Sequence, residues 1–426
     1  MVFPKRIFMI LLMVASIQFA QSPYNSAGMG LLSDFSDASA FGLGMSGSMG
    51  GFNHSVFTQN PSTWPKLKFA KLNFHYLGGQ IQNQSHNFLT GFGNLSDASF
   101  ILPIKGEFAI GLGLKPFANR TFRLEDASLE EVIISGDTLE LYTDLRGSGG
   151  IGMLHTEIAK VINNKWSVGI GAEFLFGVSS ESAIVSGLFS GDTTVVISRS
   201  HETKGTLLSL YFTTPLFDTP INSSLHFTIR IPVGRRRIIE REEHAFIDND
   251  GDQEHTTWDD PLPYQVSKSV ISHTNYSLPL DVSLGWMYHL TGSTYLAFEL
   301  AKRSFDEDGT FPTSSISSKL NSGHRLAVGL LREGLTGTRS FLNRLHYRIG
   351  FFTRQHYISS RNKEDVAEQG IALGLGIPFG VTKNQIDIGF QYVERSGFLS
   401  SKPEIINQLT IGLTLSDVWL ASRKRR

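Results

Sequence analysis

The sequence predicts an all-β protein, a transmembrane antiparallel β-barrel of about fourteen strands with an N-terminal plug (hatch) segment in its lumen. Three observations predict it. The first is Trp166–Phe176, where Trp166, Val168, Ile170, Ala172, Phe174 and Phe176 share one parity and Ser167, Gly169, Gly171, Glu173 and Leu175 the other. Side chains alternate faces along a strand, so one face is apolar and the other small or polar. A helix would place Ile170 beside Glu173 and break that segregation. The second is that this pattern recurs through the chain. The third is composition: 42 Gly, 31 Phe, 11 Tyr and 5 Trp, with no later run approaching the length of a membrane helix. Closure is the way a sheet can sit in lipid.

The N-terminus reads as a secretory leader over residues 1–21. Lys5 and Arg6 precede the apolar run Ile7 to Ala15, and small residues follow at Ala15 and Ala20. Removing it leaves 36 bases against 39 acids, which gives no sign of a nucleic acid partner. There is no cysteine, so disulfides and thiolate metal sites are excluded.

Residues 22–65 carry no strand signal of useful length. Gly/Ser-rich chain such as 38–51 is commonly a flexible linker. Here Phe41, Leu43, Met45, Met49, Phe52 and Phe57 interleave it, which favours a small packed element. Asn60-Pro61-Ser62-Thr63-Trp64-Pro65 makes a turn before the barrel, residues 66–416. Clear alternation marks 72–76, 108–114, 166–176, 225–231, 345–351, 386–392 and 409–415. Weaker alternation marks 98–104, 149–160, 204–213, 277–290, 293–303, 323–332 and 368–378. Leu139 to Leu145 is assigned to a loop hairpin, because bacterial barrels close with even numbers. Tight turns fall at Asn163-Asn164 and Thr291-Gly292. The stretches 115–147, 178–203, 233–275 and 304–322 read as long polar loops, and 417–426 as a basic tail.

Parity places Glu173, His226, Arg230, His346, Arg348 and Asp387 in the lumen, with Arg344 on the same face as His346. The lumen glycines Gly111, Gly113, Gly169, Gly171, Gly350, Gly374, Gly376 and Gly389 are too small to fill a barrel this wide. Residues 22–65 are the expected filling, with Phe41, Met45 and Met49 lining a hydrophobic path. Arg235, Arg236 and Arg237 follow the strand Leu225–Ile231. They suit an interfacial anchor on lipopolysaccharide phosphates, or else capture of a ligand carboxylate. Asp248 to Glu254 resembles a calcium loop but puts its glycine out of place, so it reads as an acidic turn. No hydrolase constellation, cofactor motif or metal-ligand spacing emerges.

Ala40–Gly47 followed by Asn60-Pro61 resembles the hatch of FadL-type outer-membrane transporters, with Ser62 where that family usually has Ala. Gly147–Ile151 leading into Trp166 resembles the family's central hairpin. Leu345–Phe352 resembles its late Arg-x-Gly-aromatic strand, and Leu413–Lys424 the closing strand and basic tail of some members. The resemblance implies a plugged barrel of fourteen strands in the outer membrane of a Gram-negative bacterium, with Gly44, Asn60 and Pro61 among the hatch residues. It implies no enzyme and no cofactor, and passive uptake of long-chain fatty acids or other hydrophobic molecules. Two readings compete: a type IX-like secretion or surface-assembly barrel with a protein partner, and an outer-membrane enzyme acting on lipids.

Overall fold

Alternation long enough to cross a bilayer recurs fourteen times, and fourteen strands pair in order to close a ring. The computed structural model describes residues 22–34, 37–49, 58–83, 88–104, 107–134, 137–163, 166–186, 194–215, 223–234, 236–248, 273–276, 278–305, 319–335, 337–359, 364–380, 384–397 and 400–417. Among them the ring strands are β1 Ala70–Asn83, β2 Phe88–Ile104, β3 Phe108–Asn119, β4 Asp137–Ile162, β5 Trp166–Ser186, β6 Thr194–Pro215 and β7 Ser223–Pro232. They continue as β8 Leu280–Thr291, β9 Thr294–Ser304, β10 Gly323–Arg332, β11 His346–Ser359, β12 Asp365–Phe379, β13 Asn384–Gly397 and β14 Ser400–Asp417. Neighbours are antiparallel, and β14 pairs with β1 from Glu404 opposite Asn83 to Asp417 opposite Ala70. Every backbone group in the crossing zone can therefore find a partner without an edge.

The parity read from Trp166–Phe176 holds in β5. Trp166, Ile170, Phe174 and Phe176 are exposed on the outside, while Ser167, Gly169, Gly171, Glu173 and Leu175 are buried. Exposed apolar residues on every side of the ring, among them Leu112, Phe227, Leu300, Phe351, Leu373 and Ile411, form a belt that lipid must cover. The ends of the ring's chain, Ala70 and Asp417, share one rim with four places where one strand follows the last after only a few residues: Ile104 and Phe108, Ile162 and Trp166, Thr291 and Thr294, and Phe379 and Asn384. Short turns mark the periplasmic side of such barrels.

Two expectations change. The stretches taken for polar loops carry strand. Among the described residues, Phe122–Ile134 pairs with the first part of β4, which includes Leu139 to Leu145, above the ring. β5 and β6 stay paired as far as Val185 opposite Val195. Arg236–Asp248 adds to β6 and His273–Tyr276 adds to Arg236–Ile239. Ladder hydrogen bonds continue beyond the apolar belt, where Ile184, Val196 and Phe246 form a small buried cluster, whereas sustained hydrophobic alternation marks only the part in lipid. Also, β11 begins at His346. Arg344 ends a short helix, Phe341–Arg344, and is exposed rather than lumenal, while Leu345 is buried beside it. Residues 1–21 and 418–426, Phe52, Phe57, Arg235 and most of Asp248–Glu254 lie outside the described residues.

Candidate functional site

Inside the ring the described parts of residues 22–66 descend from the outer end of β3 to the foot of β1. Leu31 and Leu32 pair with Asn119 and Ala118. Just above, Tyr357 on β11 donates its hydroxyl to the Gly30 carbonyl at 2.8 Å and accepts from the Met29 N–H at 2.8 Å. Arg120 donates to the Gly28 carbonyl and to Glu181 at 2.7 Å.

Lower down, Asp34 lies 2.7 Å from Arg354 and 3.1 Å from Arg303. Burial would push its carboxyl up, but the two guanidiniums dominate and hold it well below the usual range. The same arginines extend the contact around the wall. Arg303 bonds Asp281 at 2.7 Å. Arg354 bonds Glu368, which takes Arg395 at 2.6 Å, and Arg395 reaches Glu404 at 3.1 Å. Ser22 then donates to Glu404 at 3.0 Å. On the other side Arg230 bonds Glu173 at 3.1 Å and approaches Asp281 at 4.0 Å. A chain of alternating charge thus runs around the inner wall from β5 to β14. Asp34, Ser22 and Gln59 are among the N-terminal segment's contributions to it.

Asp37 caps the one-turn helix Ala38–Phe41, accepting from the Ala40 N–H at 2.7 Å. Burial raises its carboxyl to about 8, against the pull of that hydrogen bond and with the help of the Asp97 and Asp387 charges. The wall grips the backbone that follows. His75 accepts from the Ala38 N–H at 3.1 Å, Gln391 donates to the Phe41 carbonyl at 2.7 Å, and Arg325 donates to the Gly44 carbonyl at 2.8 Å. Glu299, 3.1 Å from Arg325, accepts from the hydroxyls of Ser46 and Ser48, each at 2.8 Å. Below, the Asn60 side chain accepts from the Ser62 N–H at 3.2 Å and donates to the Ser48 carbonyl at 2.7 Å. Ser62, the residue that departs from the usual Ala, lies 2.6 Å from Thr213, which lies 2.9 Å from His226.

Glycines on the wall make this approach possible. The Leu43 carbonyl rests on Gly350, where an added Cβ would overlap it, and Trp64 likewise covers Gly111. Gly42 meets Gly374, Phe41 meets Gly389, and Met49 meets Gly285. Gly113, Gly171 and Gly376 instead make room for His155, Glu157 and Arg348 from the wall itself. Phe41, Leu43, Met45 and Met49 form one buried apolar cluster with Ile81, Ala297, Leu331, Phe352, Val393 and Ile406.

Between the N-terminal segment and the wall is a cavity of about 80 Å³. Asp34, Ser46, Gln59, Lys115, Arg230 and Arg303 are among the residues that line it. Gln59 accepts there from Lys115 at 3.1 Å and from Arg230 at 2.6 Å. Of the residues singled out from the sequence, Glu173 and Arg230 meet at this charged wall. His226 joins Asn60 and Ser62, and Arg348 bonds Asp387 at 2.7 Å. His346 accepts from the Gly334 N–H at the periplasmic rim. Pro61 packs by Gly169. Arg236 and Arg237 begin the strand added to β6. Sequence reading missed Asp34, Asp281, Glu299, Arg303, Arg325, Arg354 and Glu368. Lumen parity was available for the wall members, since Arg354 is in phase with Arg348. Nothing local marked Asp34.

The profile of the BamG family matches residues 2–425. The chain belongs to that family. Its fold is that of FadL-type outer-membrane barrels. A Pseudomonas aeruginosa FadL homologue is 13% identical, with 90% of this chain and 98% of that one covered and a TM-score of 0.59. The CymD monoaromatic hydrocarbon channel is 12% identical, with 94% and 100% covered and a TM-score of 0.56. A deltaS2S3 mutant of the TodX monoaromatic hydrocarbon channel is 10% identical, with 94% and 99% covered and a TM-score of 0.53. A search of curated proteins finds no sequence that matches this chain. At these identities the likeness is one of fold, and that fold, with its apolar belt, places the protein in the outer membrane.

Proposed function

We propose that the protein lets a hydrophobic compound, such as a long-chain fatty acid, cross the outer membrane through the barrel, with residues 22–66 acting as a hatch. The observation that carries this reading is how the segment is held. It lies against the wall glycines, held by hydrogen bonds and ion pairs that can be exchanged for water and by apolar contacts that an apolar ligand could replace. The apolar cluster of Phe41, Leu43, Met45 and Met49 gives a hydrophobic surface along that course.

Size sets a requirement on the mechanism. Pockets for drug-sized ligands run to roughly 300–1,000 Å³, and the cavity of about 80 Å³ holds only a few waters. A fatty acid therefore needs the hatch to shift, against the ion pairs around Asp34, the hydrogen bonds to Phe41, Gly44, Ser46 and Ser48, and the apolar cluster. Met45 and Met49, unbranched and adaptable, would repack around a bound chain.

Deleting residues 38–58 tests the proposal. The barrel should still fold, its single-channel conductance in planar bilayers should rise from near closed to open, and uptake of a labelled fatty acid should lose its saturation. A barrel that instead serves a protein partner would show no fatty-acid uptake in the intact form. A folded deletion variant with unchanged low conductance would remove the hatch from the account.

A further inference from the structure

The connection from β10 to β11, in its described residues 333–335 and 337–345, is well tied yet presents apolar side chains outward. The Glu333 N–H donates to the Ser293 carbonyl and the Leu335 N–H to the Asn343 carbonyl, both at 2.8 Å. Tyr347 donates its hydroxyl to the Leu342 carbonyl at 3.0 Å. A backbone held this way would let apolar side chains fold inward, but Leu335 is 48% exposed, Phe341 54% and Leu342 64%.

Two further features say what covers them. The first is continuity with the lipid-facing wall: Tyr347, to which the helix Phe341–Arg344 is bonded, shares its outward parity with exposed Ile349 and Phe351. The second is charge. Arg344 lies 5.7 Å from the ring centre of Phe341, Arg332 5.7 Å from that of Tyr347, and Lys160, along the same rim, 4.8 Å from that of Phe108. Arg339, Lys66 and Lys68 are exposed at this rim as well, whereas its exposed acids among the described residues are Glu107 and Asp417. Cations parked on aromatic rings beside bare apolar side chains make an interfacial surface, with apolar groups for acyl chains and cations for phosphates.

The geometry points to a membrane-binding foot at the periplasmic rim: Leu335, Phe341 and Leu342 enter the inner leaflet, and Arg332, Arg339 and Arg344 bind the phosphates of its anionic lipids. The foot is independent of what passes through the lumen. It fixes the barrel's depth and tilt and gathers anionic lipid beside β10 and β11.

The chain contains no cysteine, so one introduced residue reports alone. Leu342→Cys, labelled with an environment-sensitive dye, is reconstituted into phosphatidylcholine vesicles with and without phosphatidylglycerol. Nitroxide-labelled lipid should quench the dye while iodide on both faces should not. Phosphatidylglycerol should deepen the lipid quenching, and Arg332→Gln, Arg339→Gln and Arg344→Gln together should abolish that gain. A dye quenched by iodide and untouched by nitroxide lipid would overturn the proposal, as a surface meant for a protein partner would give. Lipid quenching with no response to phosphatidylglycerol would overturn the phosphate sites. Only preparations whose migration changes on heating in SDS are used, and if Leu342→Cys does not fold, Phe341→Cys carries the dye.

Discussion

Asp37 shows how one buried carboxyl couples the N-terminal segment to pH. An aspartate ordinarily titrates near 3.8, and burial beside Asp97 and Asp387 lifts Asp37 to about 8. The folded chain therefore keeps a proton that the unfolded chain releases between about 4 and about 8. With more protons bound in the folded state, the contribution of Asp37 to stability is full below that window and is lost as pH rises through it. Hydrogen exchange across residues 38–49 should accordingly be slower at pH 5 than at pH 8.5, after correction for the intrinsic rate. Asp37→Asn keeps the cap acceptor and should flatten the difference; an unchanged pH dependence in that variant would assign the effect elsewhere. The lipid parity of β5 makes a second residue-scale prediction. Ile170→Arg places a charge in the belt and should cost about 2–4 kcal/mol near the midplane. Gly169→Ser should be milder, because its Cβ would lie 3.3 Å from the Ser62 nitrogen and 3.4 Å from the Pro61 Cβ, asking for a shift of a few tenths of an ångström. Urea titrations of the two variants in lipid vesicles compare them directly, and equal losses would overturn the assigned parity.

At the scale of elements the question is how a wall and a strand-poor segment fit together. β10, β11 and β12 present Gly329, Gly350 and Gly374 to the backbone of residues 42–43, so main chain meets main chain where side chains would ordinarily stand. Gly350→Ala would drive a methyl group into the Leu43 carbonyl. It should displace the segment without opening the ring, raising both conductance and protease cleavage within residues 38–49. Gly152→Ala is the matched control, since its Cβ would sit 3.4 Å from the Phe176 ring, an ordinary contact. If both variants behave alike, the close approach at Gly350 is not what seats the segment. The outer strand extensions belong to this scale too. β4, β5 and β6 run 26, 21 and 22 residues, about twice what a tilted strand needs to cross the hydrocarbon.

For the whole molecule, closure governs stability. β14 joins β13 on one side and β1 on the other, with Leu409 opposite both Phe390 and Gly78. Ending the chain after Gln408 strips the periplasmic half of that strand and leaves two unpaired edges in lipid, which a barrel does not tolerate. The truncated protein should lose the SDS resistance of the full chain at room temperature, read as migration on an unheated gel. Retained resistance would mean the ring closes elsewhere.

Alternation along the chain was enough to read a barrel of about fourteen strands, where its crossing segments lie, and which side of the clearest ones faces lipid. These depend on a local quantity, side-chain alternation along one strand, and they survive ignorance of neighbours. It also placed Arg348 and Asp387 on one lumen face, since each is polar against its own strand's apolar parity. It took the folded barrel to show that Arg348 meets Asp387, that Asp34 binds arginines of β9 and β11, and that Glu299 holds Ser46 and Ser48 more than 250 positions away. Ion-pair partners in a barrel follow from register and shear around a closed ring, which alternation within one strand does not encode. The course of residues 22–66 was open for the same reason: a segment without periodicity takes its path from the wall that surrounds it. The strand extensions stayed hidden because their buried side chains, among them Ile184, Val196 and Phe246, come together only through pairing between strands and form no alternating run along any one of them.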